Sequence, residues 1–291
     1  MTRAALVSDY GVRTLERRGM LPLQAYGVRA GLELLRRGRL KRSLRYLVVP
    51  VNYWRAAEFG LALREGDFRP GARVLDVGSP KLLSLFLAEK AGAQVVATDI
   101  EDYFIPEYEL LRELRDIGAD RLSLRVEDGR RLSFADASFD RVYSISVLEH
   151  IPEDGDSECV REIGRVLAHG GRCVITVPFW PAGRVDWRDP DFYWSGSTVE
   201  DGEGKVFFQR RYSEAQLRER LIEPSGLRLS KLWFVGERVL AGSEREFCEF
   251  LPPATGPAQP LLSRLLLTPP VADWRSLRKP LCALIVLERA L

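Results

Sequence analysis

The stretch Val74–Ile100, VLDVGSPKLLSLFLAEKAGAQVVATDI, constrains this chain more than any other. Val74–Val77 is a short apolar run that ends at Gly78, and Ser79-Pro80 is a strong helix start, with Ser79 as N-cap and Pro80 as the first helical residue. The run Leu82–Leu87 is apolar on almost every side, which predicts a deeply buried helix reaching about Ala91. Val95–Thr98 is a second buried strand, closed by Asp99. Strand, glycine turn, helix, strand and terminal carboxylate form the skeleton of a nucleotide-binding βαβ unit. The separation of Asp76 from Asp99 suits the usual spacing of about 20 residues between the turn and a ribose-binding acid. The turn itself departs from a glycine-rich loop, since it reads Gly78-Ser79-Pro80-Lys81.

The pattern continues downstream. Further strands are predicted at Arg121–Val126, Asp140–Ile145, Arg172–Pro178, Arg228–Val235 and Leu281–Leu287. Helices are predicted at about Glu107–Ile117, Cys159–Leu167 and Ser213–Leu221, the second closed by Gly170-Gly171 with His169 as its C-terminal cap. Short apolar strands alternating with helices point to an α/β fold with a parallel, doubly wound sheet. Two segments interrupt it. Phe179–Tyr212 is rich in aromatics, Gly and Asp, and Gly236–Lys279 carries Pro252-Pro253, Pro257, Pro260 and Pro269-Pro270. Long loops on such a scaffold are more often lids or binding loops than filler.

With 291 residues the chain can bury a large core, as one domain with additions or as two. Its formal net charge of +2 argues against a dedicated nucleic-acid binder. The charge is uneven, however, because residues 1–60 hold 12 Lys+Arg against 4 Asp+Glu. Leu40, Leu44, Leu47 and Val51 repeat at helical spacing among Arg36, Arg37, Arg39, Lys41, Arg42 and Arg45, so residues 1–68 read as a basic helical extension joined by Arg69-Pro70-Gly71. The four cysteines form no CxxC, and Cys173 and Cys282 sit in apolar strand-like runs, as buried free thiols of a reducing cytosol do. No apolar run approaches the ~20 residues needed to cross a bilayer. A soluble, cytoplasmic protein is expected, with peripheral membrane contact through the basic segment left open.

Three signatures in this order make the chain resemble the class I S-adenosylmethionine-dependent methyltransferases, in the branch acting on metabolites, lipids and glycans. They are VLDVG with Asp99 ending the second strand; Asp128-Gly129 followed by SFADASFDRVYSISVLEHI; and EIGRVLAHGGRCVITVP. The resemblance covers about residues 69–291. It implies a Rossmann-like, doubly wound sheet of about seven strands, mostly parallel with the last antiparallel, carrying insertions at about 179–212 and 236–279. Residues 1–68 lie outside it as an N-terminal helical extension: a solvated helix covering the sheet, a lid over the cofactor, or an amphipathic surface for anionic lipid.

By this resemblance S-adenosylmethionine is the cofactor, S-adenosylhomocysteine the product, and no metal takes part. Asp76 orients the turn and meets the amino acid part of the cofactor, while Gly78 and Ser79 let backbone approach it. Asp99 binds the two ribose hydroxyls, a task suited to an acceptor-only carboxylate. Ile100 flanks the adenine, Asp128 accepts from its amino group, Gly129 leaves space for the ring, and Ser146, opening the segment after the fourth strand, is a further cofactor contact. Glu149 and His150 fall on the acceptor side, His150 being the candidate for acid–base work. Trp180, Trp187, Tyr193 and Trp194 are candidates for an apolar or sugar-stacking wall, or for packing the loop onto the body. Asp186, Asp189 and Asp191 are better explained by Asp-Pro and turn chemistry than by metal binding.

The reading expected is methyl transfer to an oxygen, nitrogen or carbon of a small-molecule, glycan or lipid-like acceptor. The alternative is a non-catalytic binding or scaffold protein on the same fold, motivated by the missing glycines. An NAD-dependent oxidoreductase fits less well, since the first turn lacks G-x-G-x-x-G. Nucleic-acid partners are not expected, and self-association is left open.

Overall fold

A computed structural model describes residues 21–78, 82–190, 199–241 and 246–291. Ser79, Tyr193 and Trp194 lie outside the described residues, as do Pro80, Lys81 and Asp191. Among the described residues three helices come first: α1 (Leu21–Arg36), α2 (Leu40–Val48) and α3 (Tyr53–Glu65). Asn52 caps α3, its side chain accepting the Arg55 amide at 2.8 Å. The sheet then begins with β1 (Arg73–Asp76), α4 (Leu82–Phe86, continuing as a π-helical turn to Ala91) and β2 (Gln94–Asp99). α5 (Ile105–Leu114), β3 (Leu122–Val126), β4 (Phe139–Ile145), α6 (Gly155–Val166) and β5 (Leu167–Pro178) follow. The remaining elements are β6 (Arg184–Arg188), β7 (Val206–Arg211), α7 (Glu214–Gln216, continuing as a π-helical turn to Ile222), β8 (Arg228–Gly236), α8 (Gln259–Leu266) and β9 (Pro280–Glu288).

The principal sheet has seven strands in the order β3-β2-β1-β4-β5-β9-β8. β1 to β5 pair in parallel, and β9 runs antiparallel to both of its neighbours, β5 and β8. The expected doubly wound sheet, with its final strand reversed, is therefore present. Alternation along the strands explains the layering. Val74, Val95, Tyr143, Val174, Leu284 and Val286 face one core, shared with Leu23, Phe59, Leu83 and Leu111 from α1, α3, α4 and α5. Leu75, Val142, Ile175, Ile285 and Leu287 face the other, with Val160 and Ile163 of α6 and Leu217 and Leu221 beyond. Because helices cover both faces, strands such as Leu281–Leu287 are apolar throughout rather than alternating. The extension joins the first core directly: the Tyr26 ring meets Phe86 edge-on at 5.4 Å.

Two expectations need correction in detail. β5 starts at Leu167, not at Arg172, so the Ala-His-Gly-Gly stretch is strand and not a helix end. Backbone pairing draws it in, since Gly170 donates to the Arg289 carbonyl and Arg289 to that of Gly171. His169 is consequently no helix cap, and its Nδ1 lies 3.1 Å from the Ala290 carbonyl oxygen. The segment read as a long loop from Phe179 to Tyr212 contains the antiparallel pair β6–β7.

Candidate active site

The order reverses between β1 and β4: β1 leads outward to β2 and β3, β4 to β5. In open α/β sheets the carboxyl ends of strands at such a switch point form a crevice for ligands. Asp76, Asp99 and the Asp128 turn stand at the carboxyl ends of β1, β2 and β3, and Ser146 follows β4 directly. Short bonds lock these ends together. Thr98 Oγ1 donates to the Asp76 carbonyl at 2.8 Å, Ser144 Oγ to the Val77 carbonyl at 3.1 Å, and the Glu127 amide to the Asp99 carbonyl at 2.9 Å.

Each acid sits in its own environment. Asp76 is 2% exposed and turned inward, where Ser84 Oγ of α4 donates to its Oδ2 at 2.5 Å. The Tyr143 hydroxyl lies 3.0 Å from the same Ser84 oxygen, and burial together with the Asp76 charge pushes that phenol's pKa well up. Asp76 thus fixes the exit of β1. Asp99 is nearly buried, its Oδ1 accepting the Glu101 amide at 3.2 Å, and the next residue, Ile100, is 60% exposed beside it. Asp128 closes an Asx turn with the Arg130 amide and takes the Arg130 guanidinium in a two-oxygen grip, the shortest contact being 2.7 Å. Hydrogen bonding from Arg130 holds its carboxyl below the usual range.

Glycine is required at two of these turns. Gly78 has φ +84°, and a Cβ there would come within 2.3 Å of Val147 Cγ1 in the loop after β4. Gly129 packs against Cys159, whose Sγ would lie 2.9 Å from an added Cβ. The two loops flanking the switch point therefore touch, and their close approach depends on residues without side chains.

The other half of the crevice is built from distant parts of the chain. Ser146 adopts φ +49°, a left-handed conformation that costs a non-glycine residue and is kept only where surroundings enforce it. What enforces it is Glu58 of α3, 3% exposed and 88 positions earlier, whose Oε1 accepts from Ser146 Oγ and, at 2.9 Å, from Thr176 Oγ1 of β5. Arg55 donates to the other oxygen of Glu58. Glu149 is 1% exposed, and His150 Nε2 lies 3.9 Å from its Oε1. His150 Nδ1 is 2.7 Å from the Phe208 carbonyl of β7. A carbonyl only accepts, so Nδ1 carries the proton and Nε2 is the nitrogen able to receive one. The hairpin β6–β7 is thereby pinned beside the turn after β4.

That hairpin holds Trp187 edge-on to Phe207 at 5.9 Å, and Trp180 has the Arg184 guanidinium 5.9 Å from its ring centre. Asp186 is buried between Arg184 Nε at 2.6 Å, Gln209 Nε2 at 2.8 Å and Arg211 Nε at 2.8 Å. Its carboxylate is engaged by cations and an amide of the protein itself. Behind the hairpin, Asp156 at the start of α6 is fully buried and accepts from Arg210, Arg220 and the Tyr212 hydroxyl. Glu58, which holds the Ser146 and Thr176 hydroxyls, is a residue of this candidate site that the sequence reading does not single out. The available signal was a lone acid within the apolar run Ala56-Ala57-Glu58-Phe59, because an acid buried on such a face must be paired.

The donor set fits a nucleoside. Carboxylates at neighbouring strand ends can accept from ribose hydroxyls and an exocyclic amine, and a half-exposed aliphatic side chain offers a ring a flat contact.

Comparison with known proteins agrees with this geometry. Residues 75–175 match the methyltransferase domain family. Methyltransferase GfsG of Streptomyces halstedii is 36% identical over 112 residues, which are 38% of this chain and 38% of that protein. The aklanonic acid methyltransferase DauC of Streptomyces sp. (strain C5) is 33% identical over 125 residues, 42% of this chain and 55% of that one. The chain thus spans roughly two-fifths to just over half the length of these relatives. In three dimensions the chain resembles the crystal structure of the cyclase SpnF, with TM-score 0.54 and 19% identity over 83% of this chain and 84% of that one. That likeness concerns the fold alone. Residues 75–175 thus match a methyltransferase domain and are set in a seven-stranded sheet of the order β3-β2-β1-β4-β5-β9-β8.

Proposed function

We propose that this protein transfers a methyl group from S-adenosylmethionine to an oxygen, nitrogen or carbon of a small-molecule acceptor. One observation carries the reading: Asp76, Asp99 and Asp128 close three adjacent parallel strands beside the switch point, within the stretch that matches the methyltransferase domain. Asp99 would take the ribose hydroxyls with Ile100 along the adenine, Asp128 the exocyclic amine, and Asp76 with Gly78 and Ser79 would set the turn near the amino acid part. When bound, the cofactor supplies an electrophilic methyl on a sulfonium. The protein's own work is to align the acceptor and exclude water.

The acceptor half is assigned to Glu149, His150, Trp180 and Trp187, with Tyr193 and Trp194 retained as candidates; Ser146, a cofactor contact by the resemblance, stands where the two halves meet, with Glu58 as its positioning residue. If the acceptor must lose a proton, His150 Nε2 receives it. Glu149, 3.9 Å away, then stabilises the imidazolium. Cys159, Cys173 and Cys282 are buried free thiols, and on that ground we place the protein in the cytoplasm.

Titration calorimetry with S-adenosylmethionine, S-adenosylhomocysteine and NAD tests the reading. Binding of the first two with Kd on the order of micromolar, and none of NAD, is expected. A folded protein that binds neither sulfur nucleoside is not a methyltransferase. The second reading, a binding protein on the same sheet, would then stand. The turn Gly78-Ser79-Pro80-Lys81, which lacks the glycines of a glycine-rich loop, keeps it in view, since one fold hosts many chemistries.

A further inference from the structure

The hairpin of α1 and α2 presents a surface that the site does not use. Leu32, Leu35, Leu40 and Leu44 are 43%, 41%, 59% and 50% exposed. Around them stand Arg36, Arg37, Arg39, Lys41, Arg42 and Arg45, all exposed, and the sequence has no acid between Leu34 and Tyr53. Arg42 reaches Glu107 of α5 at 3.2 Å. The inner side of the hairpin is fully committed to the fold: Leu34 is buried, Tyr46 donates to Glu107, and Ser43 donates to the Gly31 carbonyl at 2.8 Å. The leucines therefore face outward because the inner face is already filled, and they are interleaved with cations instead of shielded by acids.

We propose that this hairpin docks the protein on an anionic lipid surface, the leucines entering the headgroup boundary and the six cations meeting lipid phosphates. An interfacial helix has this composition, apolar side chains beside Lys and Arg, and its affinity sums buried apolar area and attraction to anionic lipid. Two other partners fit less well. A second copy of the chain would bring six like charges against six. RNA would leave the leucines without a role, and the aromatic of α2, Tyr46, is buried and out of reach for base stacking. α8 offers a second apolar pair, Leu261 and Leu265, 59% and 58% exposed one turn apart. It is joined to the start of α3 by the Tyr53 amide, which donates to Gln259 at 3.0 Å. The proposal rests on this surface and is independent of methyl transfer.

Sedimentation of the full chain with vesicles tests it, using phosphatidylcholine alone and phosphatidylcholine with about a third phosphatidylserine. Binding to the anionic vesicles should exceed binding to the neutral ones by roughly tenfold or more and fall as salt rises. Leu40→Ser with Leu44→Ser should weaken it roughly tenfold. Arg36→Gln, Arg37→Gln, Arg39→Gln and Lys41→Gln together should remove the preference for anionic lipid. All six positions are exposed, so both variants should melt with the wild type, and an unchanged melt separates lost docking from lost fold. Equal binding to the two vesicle types, or wild-type sedimentation of the leucine variant, overturns the proposal. So does a wild-type dimer in light scattering that the leucine variant turns into a monomer. RNA binding stronger than vesicle binding and indifferent to the leucine changes overturns it as well.

Discussion

The two halves of the crevice are built by different rules. On the proposed cofactor side the acids are held from nearby in the chain: Asp76 by Ser84 eight residues on, Asp99 by the Glu101 amide and Asp128 by Arg130. On the proposed acceptor side the decisive contacts reach much farther along the chain. Ser146 is held by a residue 88 positions away and His150 by a carbonyl 58 positions away. A half made of turns can be kept by conserving a few short strings. A half made of distant contacts can change its acceptor through any of several segments. This division is what the geometry offers a family that shares one cofactor and differs in acceptors.

The harshest way to break the comparison is to remove the anchor behind the acceptor half. Asp156→Ala leaves Arg210 and Arg220 without their shared carboxylate, and Tyr212, whose pKa burial and the Asp156 charge push well up, without its acceptor. Losing one partner of a buried ionic cluster costs about 3–5 kcal/mol, so denaturant unfolding should show a loss of that size. S-adenosylmethionine binding by the fraction still folded should be little altered. An equal loss in cofactor affinity would show that the two halves are one cooperative unit.

Next in size is the cofactor half itself. With Asp99 as the proposed acceptor of the two ribose hydroxyls, Asp99→Ala should weaken S-adenosylmethionine about a hundredfold by calorimetry, near 2.7 kcal/mol. Wild-type affinity in this variant would take the nucleoside away from the end of β2.

Glu58→Gln asks whether the extension serves the chemistry or only the fold. The amide keeps one acceptor oxygen for Ser146 and Thr176 but gives up the charge that Arg55 meets. Acceptor turnover should fall about tenfold, with cofactor Kd within about twofold and stability reduced by about 1 kcal/mol. A change in stability with turnover intact would make Glu58 a packing residue.

The same division explains what the sequence made legible. Apolar strand runs and the Ser213 helix start are local, and the sheet they imply is the one observed; Ser213 does close a capping box with Gln216. Asp76, Asp99 and Asp128 could be placed because the turn that carries each is written in adjacent residues. The β6–β7 hairpin escaped notice because its turn signals lie among scattered Gly and Asp, and its register is set by packing on the turn after β4. β5 was cut short because Gly170-Gly171 reads locally as a helix stop, and only pairing with Arg289 makes it strand. Glu58 needed both faults mended at once: a helix outside the recognised region, and knowledge of where its buried face lands.

The smallest expected effect compares two carboxylates, one from each half. Asp186 is held below the usual carboxylate range although burial pushes it up, because Arg211, Gln209 and Arg184 outweigh that burial. Asp128 is held down by Arg130, but its side chain is 37% exposed and solvent screens the pair. Both folded-state pKa values lie below the unfolded value of about 3.9. Their stabilisation is therefore complete above that pH and is lost as pH falls through each folded value. Thermal unfolding followed from about pH 6 down to pH 3 should show a steeper acid limb in the wild type than in Asp186→Asn, by about 1 kcal/mol. Asp128→Asn should flatten that limb by less than about 0.5 kcal/mol, as for a surface pair. Equal flattening by the two would mean that the loop after β3 is as tightly closed as the hairpin, and the contrast between a turn-built and a contact-built half would fail at its electrostatic end.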